Sequence, residues 1–521
     1  MLELKIAMVM ALLLVCFLLE VLASTQRYLL EHLAILCFGM LVGAAACLVG
    51  GEEEVVQKRI YFLEFSEKVF FMALAPPLFL EAGYSLNRHM FFNHNTAILI
   101  LGVMGTYCSV MLFASCIYYA LNNLWDCGLD VPINFQQCVR LGAIFLTTDA
   151  TALLRIFTNI LPEHLQHRLA DASSKTRTGV LTSIVIGESL ANNGVGLVMF
   201  WKLAQTAEPY AFVNQITVPF YFILSCVAGI SVALVCSMIT KHLDMERHPQ
   251  MEFLISMSFA LLSYFLFTEA SFINELVSLY SCGFALAHYN FKNLSNVSKV
   301  TAKAMIKSAS WASFTFIYFQ MGIIFSVSVY SNRPYWERAM PLISLVVVVM
   351  LLCRGLVVSV MCFLVSQVTQ HKLGWREQVI LNLAGIRGAV SYALCLVWRG
   401  RKIKASLVTT TTLGVVVFTN FVLGSALYPA IALLFPDYKL DTSTVVASIG
   451  MRHNRRKSSS ISGGFEPVSP PRFGLKNTPQ THLRGIRQPR ISGGDREEAF
   501  PLDLDVVAAS SNEEGKSMQR R

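Results

Sequence analysis

Residues 141–157 read LGAIFLTTDATALLRIF, and residues 181–200 read LTSIVIGESLANNGVGLVMF. Both stretches are runs of apolar side chains interrupted by a few polar ones, such as Thr147, Thr148 and Asp149 in the first run. A run of about 20 apolar residues is long enough to cross a lipid bilayer as a helix. Since the bilayer core offers no water to the backbone, such a run pairs its backbone groups within a helix. These stretches predict membrane-spanning helices with polar groups in their middle.

Comparable apolar runs recur as far as Phe435, and they set the fold class. Of the 521 residues, 54% are hydrophobic and 14% are charged, against about 25% charged in a typical soluble domain. We predict an all-α polytopic membrane protein and exclude a water-soluble enzyme. The positive charges lie mostly between apolar runs, which favours loops at a lipid surface over nucleic-acid binding. About thirteen runs are predicted to span the membrane: 6–22, 28–49, 67–83, 95–120, 136–159, 178–204, 213–238, 252–268, 272–289, 303–329, 338–365, 377–398 and 405–435.

Three regions are predicted along the chain. Residues 1–24 form either the first membrane helix or a signal-like segment with a cleavage site near Ala23. Residues 25–439 form the transmembrane domain, and residues 440–521, rich in Ser, Gly, Pro and Arg, form a disordered cytoplasmic tail. In the tail, Ser458, Ser459 and Ser492 follow basic residues and are candidate sites for a kinase or another regulatory partner. The alternative is a tail that only obeys the positive-inside rule.

The 13 cysteines predict neither a metal centre nor a disulfide framework. They have no CxxC spacing and no histidine partners at metal-ligand spacing, and most lie inside apolar runs. We therefore interpret them as small buried apolar side chains and predict no cofactor.

Polar side chains inside the predicted spans are the candidate functional residues, because ionisable groups in lipid are costly and face protein or water. In the second quoted stretch, Glu188 and Asn192 lie four residues apart and share one helix face. Carboxylate, amide and hydroxyl oxygens can replace the water shell of Na⁺, and a carboxylate binds a proton in competition with the metal ion. The alternative is that these residues hydrogen-bond between helices as packing contacts. Further candidates in other runs are Glu269, Glu275 and Arg387.

Several motifs occur in the order found in one transporter family. They are FFMALAPPLFLEAGY at 70–84, the TTD of 147–149, GESLANN at 187–193, LLSYFLFTE at 261–269, GFALAHYNFKNLS at 283–295, WREQVILNLAGIRGAVSYAL at 375–394 and TTTTLGVVVFTNFVLG at 409–424. With these motifs the sequence resembles the sodium/proton exchanger family of the cation/proton antiporters. The HYNFKNLS form resembles the endomembrane branch more than the plasma-membrane branch.

The resemblance implies a fold, a site and partners. The fold would contain two inverted repeats, two crossed broken helices, a core domain and a dimerisation domain, and the protein would form a homodimer in the lipid of an endomembrane (Golgi or endosome) or the plasma membrane. Na⁺ or K⁺ would bind transiently at Asp149, Asn192 and Asn193 and exchange for H⁺. Thr148, Glu188 and Ser189 would complete the ion site, and Arg387, Glu269, Arg155 and Glu275 would have structural or electrostatic roles.

The sequence departs from the family pattern at the implied site. The family has an aspartate where this chain has Asn193, and an amide carries no titrating proton at working pH. Ala150 replaces the usual proline, Arg155 replaces a small residue, and Phe314 stands where an acidic residue is expected. Glu275 is an added carboxylate where the family has glycine.

These departures leave three hypotheses. In the first, the protein is a working monovalent cation/proton antiporter that contributes to pH and ion homeostasis, with Asp149 or Glu188 carrying the proton. In the second, it is a transport-inactive homologue that acts as a partner or regulator of an active exchanger, because the positive charge of Arg155 would repel a cation. In the third, the transported ion or solute differs.

Overall fold

The computed structural model describes residues 2–25, 31–50, 67–86, 88–124, 134–160, 177–205, 211–243, 248–270, 272–331, 333–369, 373–398 and 405–435. Within these ranges the chain is helical and forms no strand. The predicted tail at 440–521 lies outside the described residues. The helices are α1 (Leu2–Thr25), α2 (Glu31–Gly50), α3 (Ala75–Tyr84), α4 (Arg88–Asn93), α5 (Asn95–Leu99), α6 (Thr106–Tyr119), α7 (Phe135–Leu146), α8 (Ala150–Ile160), α9 (Arg177–Gln205), α10 (Ala211–His242), α11 (Pro249–Phe265), α12 (Glu275–Ala285), α13 (Asn296–Ser331), α14 (Arg333–Val368), α15 (Trp375–Leu383), α16 (Ala389–Leu396), α17 (Ala405–Thr419) and α18 (Ser425–Leu434).

Short irregular helical segments connect or extend several of these helices. Two are single turns, at Glu67–Val69 and Phe291–Asn293. Five are π-helical turns, which often mark functional positions in long helices. They lie at Phe70–Leu74, Ile100–Gly105, Ala120–Leu124, Leu286–Asn290 and Asn420–Gly424.

Six continuous helical stretches among the described residues are long and apolar enough to cross a membrane. The prediction of thirteen spans stays a prediction, because some predicted spans are interrupted in the structure and others continue into residues that it does not describe. The six stretches are Asn95–Asn123, Val180–Lys202, Thr217–His242, Asn296–Ser331, Ala339–Val368 and Ala405–Leu434.

Glycine allows close contacts between helices of the described bundle. A methyl group added at Gly39 of α2 would collide with the Phe319 carbonyl of α13, and one added at Gly322 would collide with the Leu36 carbonyl. Gly83 of α3 lies in the same way against the backbone of α12. Small residues let membrane helices approach until their backbones touch, which gains the dispersion contacts that hold them together in lipid. These contacts place α13 along α2 and α12 along α3.

Two of the predicted spans are each divided into two shorter helices. The predicted span 136–159 is interrupted at Thr147–Asp149, between α7 and α8. The predicted span 377–398 is interrupted at Ala384–Gly388, between α15 and α16. The first interruption forms although Ala150, and not proline, follows the aspartate. A proline is therefore unnecessary for the break in this chain.

Candidate functional site

The two interrupted helices meet backbone to backbone. The Asp149 backbone N–H donates to the carbonyl oxygen of Ile386 at 2.8 Å. The Thr147 hydroxyl lies 2.9 Å from the Ser391 hydroxyl, and the Ser391 hydroxyl also donates to the Thr147 carbonyl at 3.2 Å. Interrupted backbone is tolerated in a membrane protein only where protein or water satisfies it. The crossing supplies these partners, because each break hydrogen-bonds to the other.

Arg387 lies in the second break and hydrogen-bonds to the helices that surround the crossing. Its side chain is 1% exposed, and Nη1 donates to the Leu146 carbonyl at the end of α7 at 2.6 Å. Helix C-termini carry unpaired carbonyls and a partial negative charge, so a guanidinium there is favourable. The Arg387 backbone N–H donates to the Thr419 hydroxyl at 3.2 Å, and the Asn420 amide donates to the Arg387 carbonyl at 2.7 Å. The structural and electrostatic role that the family resemblance implies for Arg387 stays a prediction.

Asp149 is a buried carboxylate with donors on both oxygens. Oδ1 accepts from the Thr151 N–H at 3.1 Å, the Thr151 hydroxyl at 2.6 Å and the Ala152 N–H at 3.0 Å. Asp149 therefore caps the N-terminus of α8, which explains how the helix restarts without a proline. Oδ2 accepts from the Tyr318 hydroxyl of α13 at 2.8 Å. Gly388 faces this oxygen closely, since a methyl group added there would collide with Oδ2.

The polar residues of α9 meet the first break at Thr148. The Thr148 N–H donates to Asn192 Oδ1 at 3.1 Å, and the Thr148 hydroxyl lies 2.7 Å from the Ser189 hydroxyl. Asn193 is 3% exposed, and its Oδ1 is buried without a hydrogen-bond partner. Buried polar atoms in proteins almost always have a partner, so an unsatisfied amide oxygen needs a reason. An amide oxygen belongs to the class of oxygen ligands that hard cations take in proteins.

Glu188 pairs with an arginine that the sequence analysis did not select. Its two carboxylate oxygens each lie 3.3 Å from an Arg354 nitrogen of α14, and both side chains are buried. Arg354 also donates to the Leu381 carbonyl near the end of α15 at 2.8 Å. A cleft beside this pair is lined by Glu188, Asn192, Arg354, Thr106 and Ser109, among others. Arg354 was identifiable in principle, since it is a charged side chain inside the apolar run 338–365.

Arg155 is neutralised by a carboxylate from the N-terminal helix. Its guanidinium lies 3.6 Å from Glu20 Oε1 of α1 and 4.2 Å from the centre of the Phe314 ring. Glu20 is 1% exposed and also accepts from the Trp311 indole N–H and, at 2.8 Å, from the Thr315 hydroxyl. The sequence predicted an added carboxylate at Glu275. The carboxylate that pairs with Arg155 belongs to Glu20, which was not among the predicted site residues.

The two remaining predicted residues lie away from the crossing. Glu269 is exposed in the turn that follows α11. Glu275 is half-buried in the first turn of α12, where a carboxylate interacts favourably with the helix dipole. Further polar residues that the sequence analysis missed are Tyr318, Ser391, Thr419 and Asn420, which all contact the crossing.

Comparison with known proteins gives consistent similarities over most of the chain. A family model described as sodium/hydrogen exchanger, transmembrane, matches residues 9–433. Sodium/hydrogen exchanger 3 of Arabidopsis thaliana is 26% identical over 456 residues, covering 84% of this chain and 85% of the relative. Sodium/hydrogen exchanger 8 of Homo sapiens is 26% identical over 422 residues, covering 78% of this chain and 67% of the relative.

A solved structure shares the fold. The sodium proton antiporter MjNhaP1 from Methanocaldococcus jannaschii, determined at pH 8, superposes with a TM-score of 0.56 at 16% sequence identity. The superposition covers 83% of this chain and 99% of that structure. The crossed, interrupted helices and the apolar spans identify an integral, multi-pass membrane protein of this architecture. With the family match extending from residue 9 to residue 433, the chain belongs to the sodium/hydrogen exchanger family, a family of secondary active transporters and not of enzymes.

Proposed function

We propose that this protein exchanges Na⁺ or K⁺ for protons at the crossing of the interrupted helices, by alternating access. The observation that carries the proposal is the arrangement of Asp149, Asn192 and Asn193. A buried carboxylate lies at the crossing, and the neighbouring helix contributes amide oxygens, of which the one on Asn193 is buried and unsatisfied. Such oxygens suit a dehydrated monovalent cation.

Asp149 is the proposed carrier of the proton. Its Oδ1 is committed to capping α8, whereas Oδ2 accepts a single hydrogen bond from the Tyr318 hydroxyl. A phenol hydroxyl can rotate about its C–O bond, so Oδ2 can exchange that bond for a cation or a proton. Competition between the two at one oxygen, opened in turn to each side of the membrane, couples their opposite movements. Glu188 is less suited to this role, because Arg354 neutralises its carboxylate.

The second candidate function is that of a transport-inactive homologue that regulates an active exchanger. Asn193 favours it, because an amide cannot replace the titrating carboxylate of the family. The positive charge of Arg155, which also suggested it, is paired with Glu20 in the structure. The pairing supports the transport hypothesis, because a neutralised arginine repels a cation much less than an isolated one.

Reconstitution into liposomes tests the proposal. The purified full chain is reconstituted with a pH-sensitive dye trapped in an acidic interior, and Na⁺ or K⁺ is added outside. We expect the interior to become more alkaline, Asp149→Asn to abolish the change, and Asn193→Asp to alter its cation and pH dependence. Glu337→Gln, at an exposed position of α14, is the matched control and retains exchange.

The possible negative results separate the two functions. Wild-type liposomes that move no protons with either ion would support the transport-inactive homologue. Exchange that is indifferent to both site variants would place the ion site elsewhere. The proposal also includes a choice between Na⁺ and K⁺, a homodimer, and an endomembrane or plasma-membrane location. The same assay distinguishes the two ions. Crosslinking in the membrane tests the homodimer, and imaging of a tagged chain tests the location.

A further inference from the structure

The N-terminal helix α1 places a buried acidic residue against helices of the transmembrane domain. Glu20 lies near the end of α1, and the partners of its carboxylate include three groups on α8 and α13. They are the Arg155 guanidinium of α8 at 3.6 Å, the Thr315 hydroxyl of α13 at 2.8 Å and the Trp311 indole N–H. A fully buried carboxylate is costly unless it is paired and hydrogen-bonded, so this carboxylate is specifically accommodated.

A chain of direct contacts connects Glu20 to the proposed ion site. Arg155 lies over the ring of Phe314, and the Phe314 and Tyr318 ring centres are 4.4 Å apart. The Tyr318 hydroxyl then donates to Asp149 Oδ2 at 2.8 Å. Arg155 lies six positions after Asp149, the residue that caps α8, which corresponds to about 9 Å of helical rise. The Glu20–Arg155 pair is therefore within electrostatic reach of a cation at Asp149.

We infer that Glu20 is a positioning residue for the proposed exchange, and that its carboxylate neutralises Arg155 so that a cation can occupy the site at Asp149. The ring of Phe314 lies against the guanidinium on the α13 side, and Glu20 supplies a carboxylate from α1. By this inference, α1 contributes to exchange together with the transmembrane domain. The inference rests on the proposed antiport function, which it extends to a residue outside the ion site.

The two partners differ in what happens when one is removed, and this difference gives a test. An arginine keeps its charge in a protein even when it is unpaired. A buried glutamate that loses its partner can take up a proton and become neutral. Glu20→Gln therefore leaves a lasting positive charge near the cation, whereas Arg155→Gln leaves a site that can return to neutrality.

The expected size of the effect follows from the separation. At about 9 Å and an effective dielectric constant of about 20, repulsion between two unit charges weakens cation binding about 20-fold. In the liposome assay, we expect Glu20→Gln to raise the apparent KM for the cation by about this factor. Arg155→Gln should leave the KM within about threefold of the wild-type value, and the Glu20→Gln/Arg155→Gln double variant should restore it. A purely structural pair would impair both single variants alike, without this asymmetry in KM.

The results separate failure of this inference from failure of the proposed function. If wild-type protein exchanges ions and both single variants shift KM equally or not at all, the inference is wrong and the proposed function stands. If wild-type protein moves no protons, the proposed function fails and this inference fails with it. Mass spectrometry of the purified protein gives an independent readout, because cleavage near Ala23 would remove Glu20. We expect peptides of α1 in the mature protein, and their absence would overturn the inference.

Discussion

A single added methyl group at the helix crossing should disable the site without changing any polar residue. In Gly388→Ala, the new methyl group would collide with Asp149 Oδ2 and lie 2.8 Å from the Tyr318 hydroxyl oxygen. The φ of Gly388 is -155°, so the residue does not lie in the left-handed region that favours glycine. The substitution therefore acts by steric displacement of the Asp149 carboxylate.

The cost can be estimated from the hydrogen bond that is lost. Turning the carboxylate away removes the 2.8 Å bond from Tyr318, and a hydrogen bond to a charged group contributes about 1.5–3 kcal/mol. The same displacement moves Oδ2 away from the position at which it would bind the proposed cation, and loss of a charged ligand of about this strength lowers exchange about 10- to 100-fold at a fixed cation concentration, since each 1.4 kcal/mol is tenfold. Loss of the Tyr318–Asp149 hydrogen bond should also lower the melting temperature of the detergent-solubilised protein.

Gly355→Ala is the matched control for this experiment. It also adds one methyl group to a glycine, in α14, but nothing lies within 4 Å of the new atom. Alanine is favoured over glycine in a helix by up to about 1 kcal/mol, so this variant should exchange normally and be no less stable. Gly388→Ala protein that exchanges ions and unfolds as Gly355→Ala does would refute the described packing of Asp149 against Gly388 and Tyr318.

Three further predictions concern the stability of the bundle, measured as thermal unfolding in detergent. Glu188→Gln should destabilise the protein by about 3–5 kcal/mol, because it leaves the buried Arg354 unpaired; Glu188→Leu combined with Arg354→Met should cost clearly less. Asn420→Ala should cost about 1–3 kcal/mol, since the carbonyl of the buried Arg387 loses its amide donor, and equal stability of mutant and wild type would contradict that contact. Gly39→Ala should cost about 1–3 kcal/mol by forcing α2 away from α13, and an unchanged melting temperature would argue against their close packing.

The apolar runs predicted most of the architecture, because the cost of unpaired backbone in lipid leaves few structures for such a sequence. Periodicity could not locate the interruption at Thr147–Asp149. It depends on tertiary partners, namely the Ile386 carbonyl and the Ser391 hydroxyl, which lie more than two hundred positions away in the sequence. The absence of proline at Ala150 even pointed against a break, and the capping of α8 by Asp149 supplies the missing local cause.

The candidate site was predictable in part. Thr148, Ser189 and Asn192 are joined by direct hydrogen bonds between helices, which is the packing role that the sequence left open as the alternative to an ion site. Glu188 was predictable beside them, but its pairing with Arg354 was not, because the partner of a buried charge depends on how helices pack. Glu20 was missed for a related reason. Its run also resembles a signal segment, and a lone carboxylate in such a segment indicates nothing until the helices that surround it are known.

The hydrogen bonds at the crossing also affect which positions can change in sequence. Three of them are accepted by backbone carbonyl oxygens: Arg387 donates to Leu146, the Asp149 N–H donates to Ile386, and Arg354 donates to Leu381. A carbonyl oxygen is present whatever side chain the residue carries. The hydrogen bonds at positions 146, 381 and 386 therefore do not depend on the identity of the side chain, and only packing restricts these three buried positions.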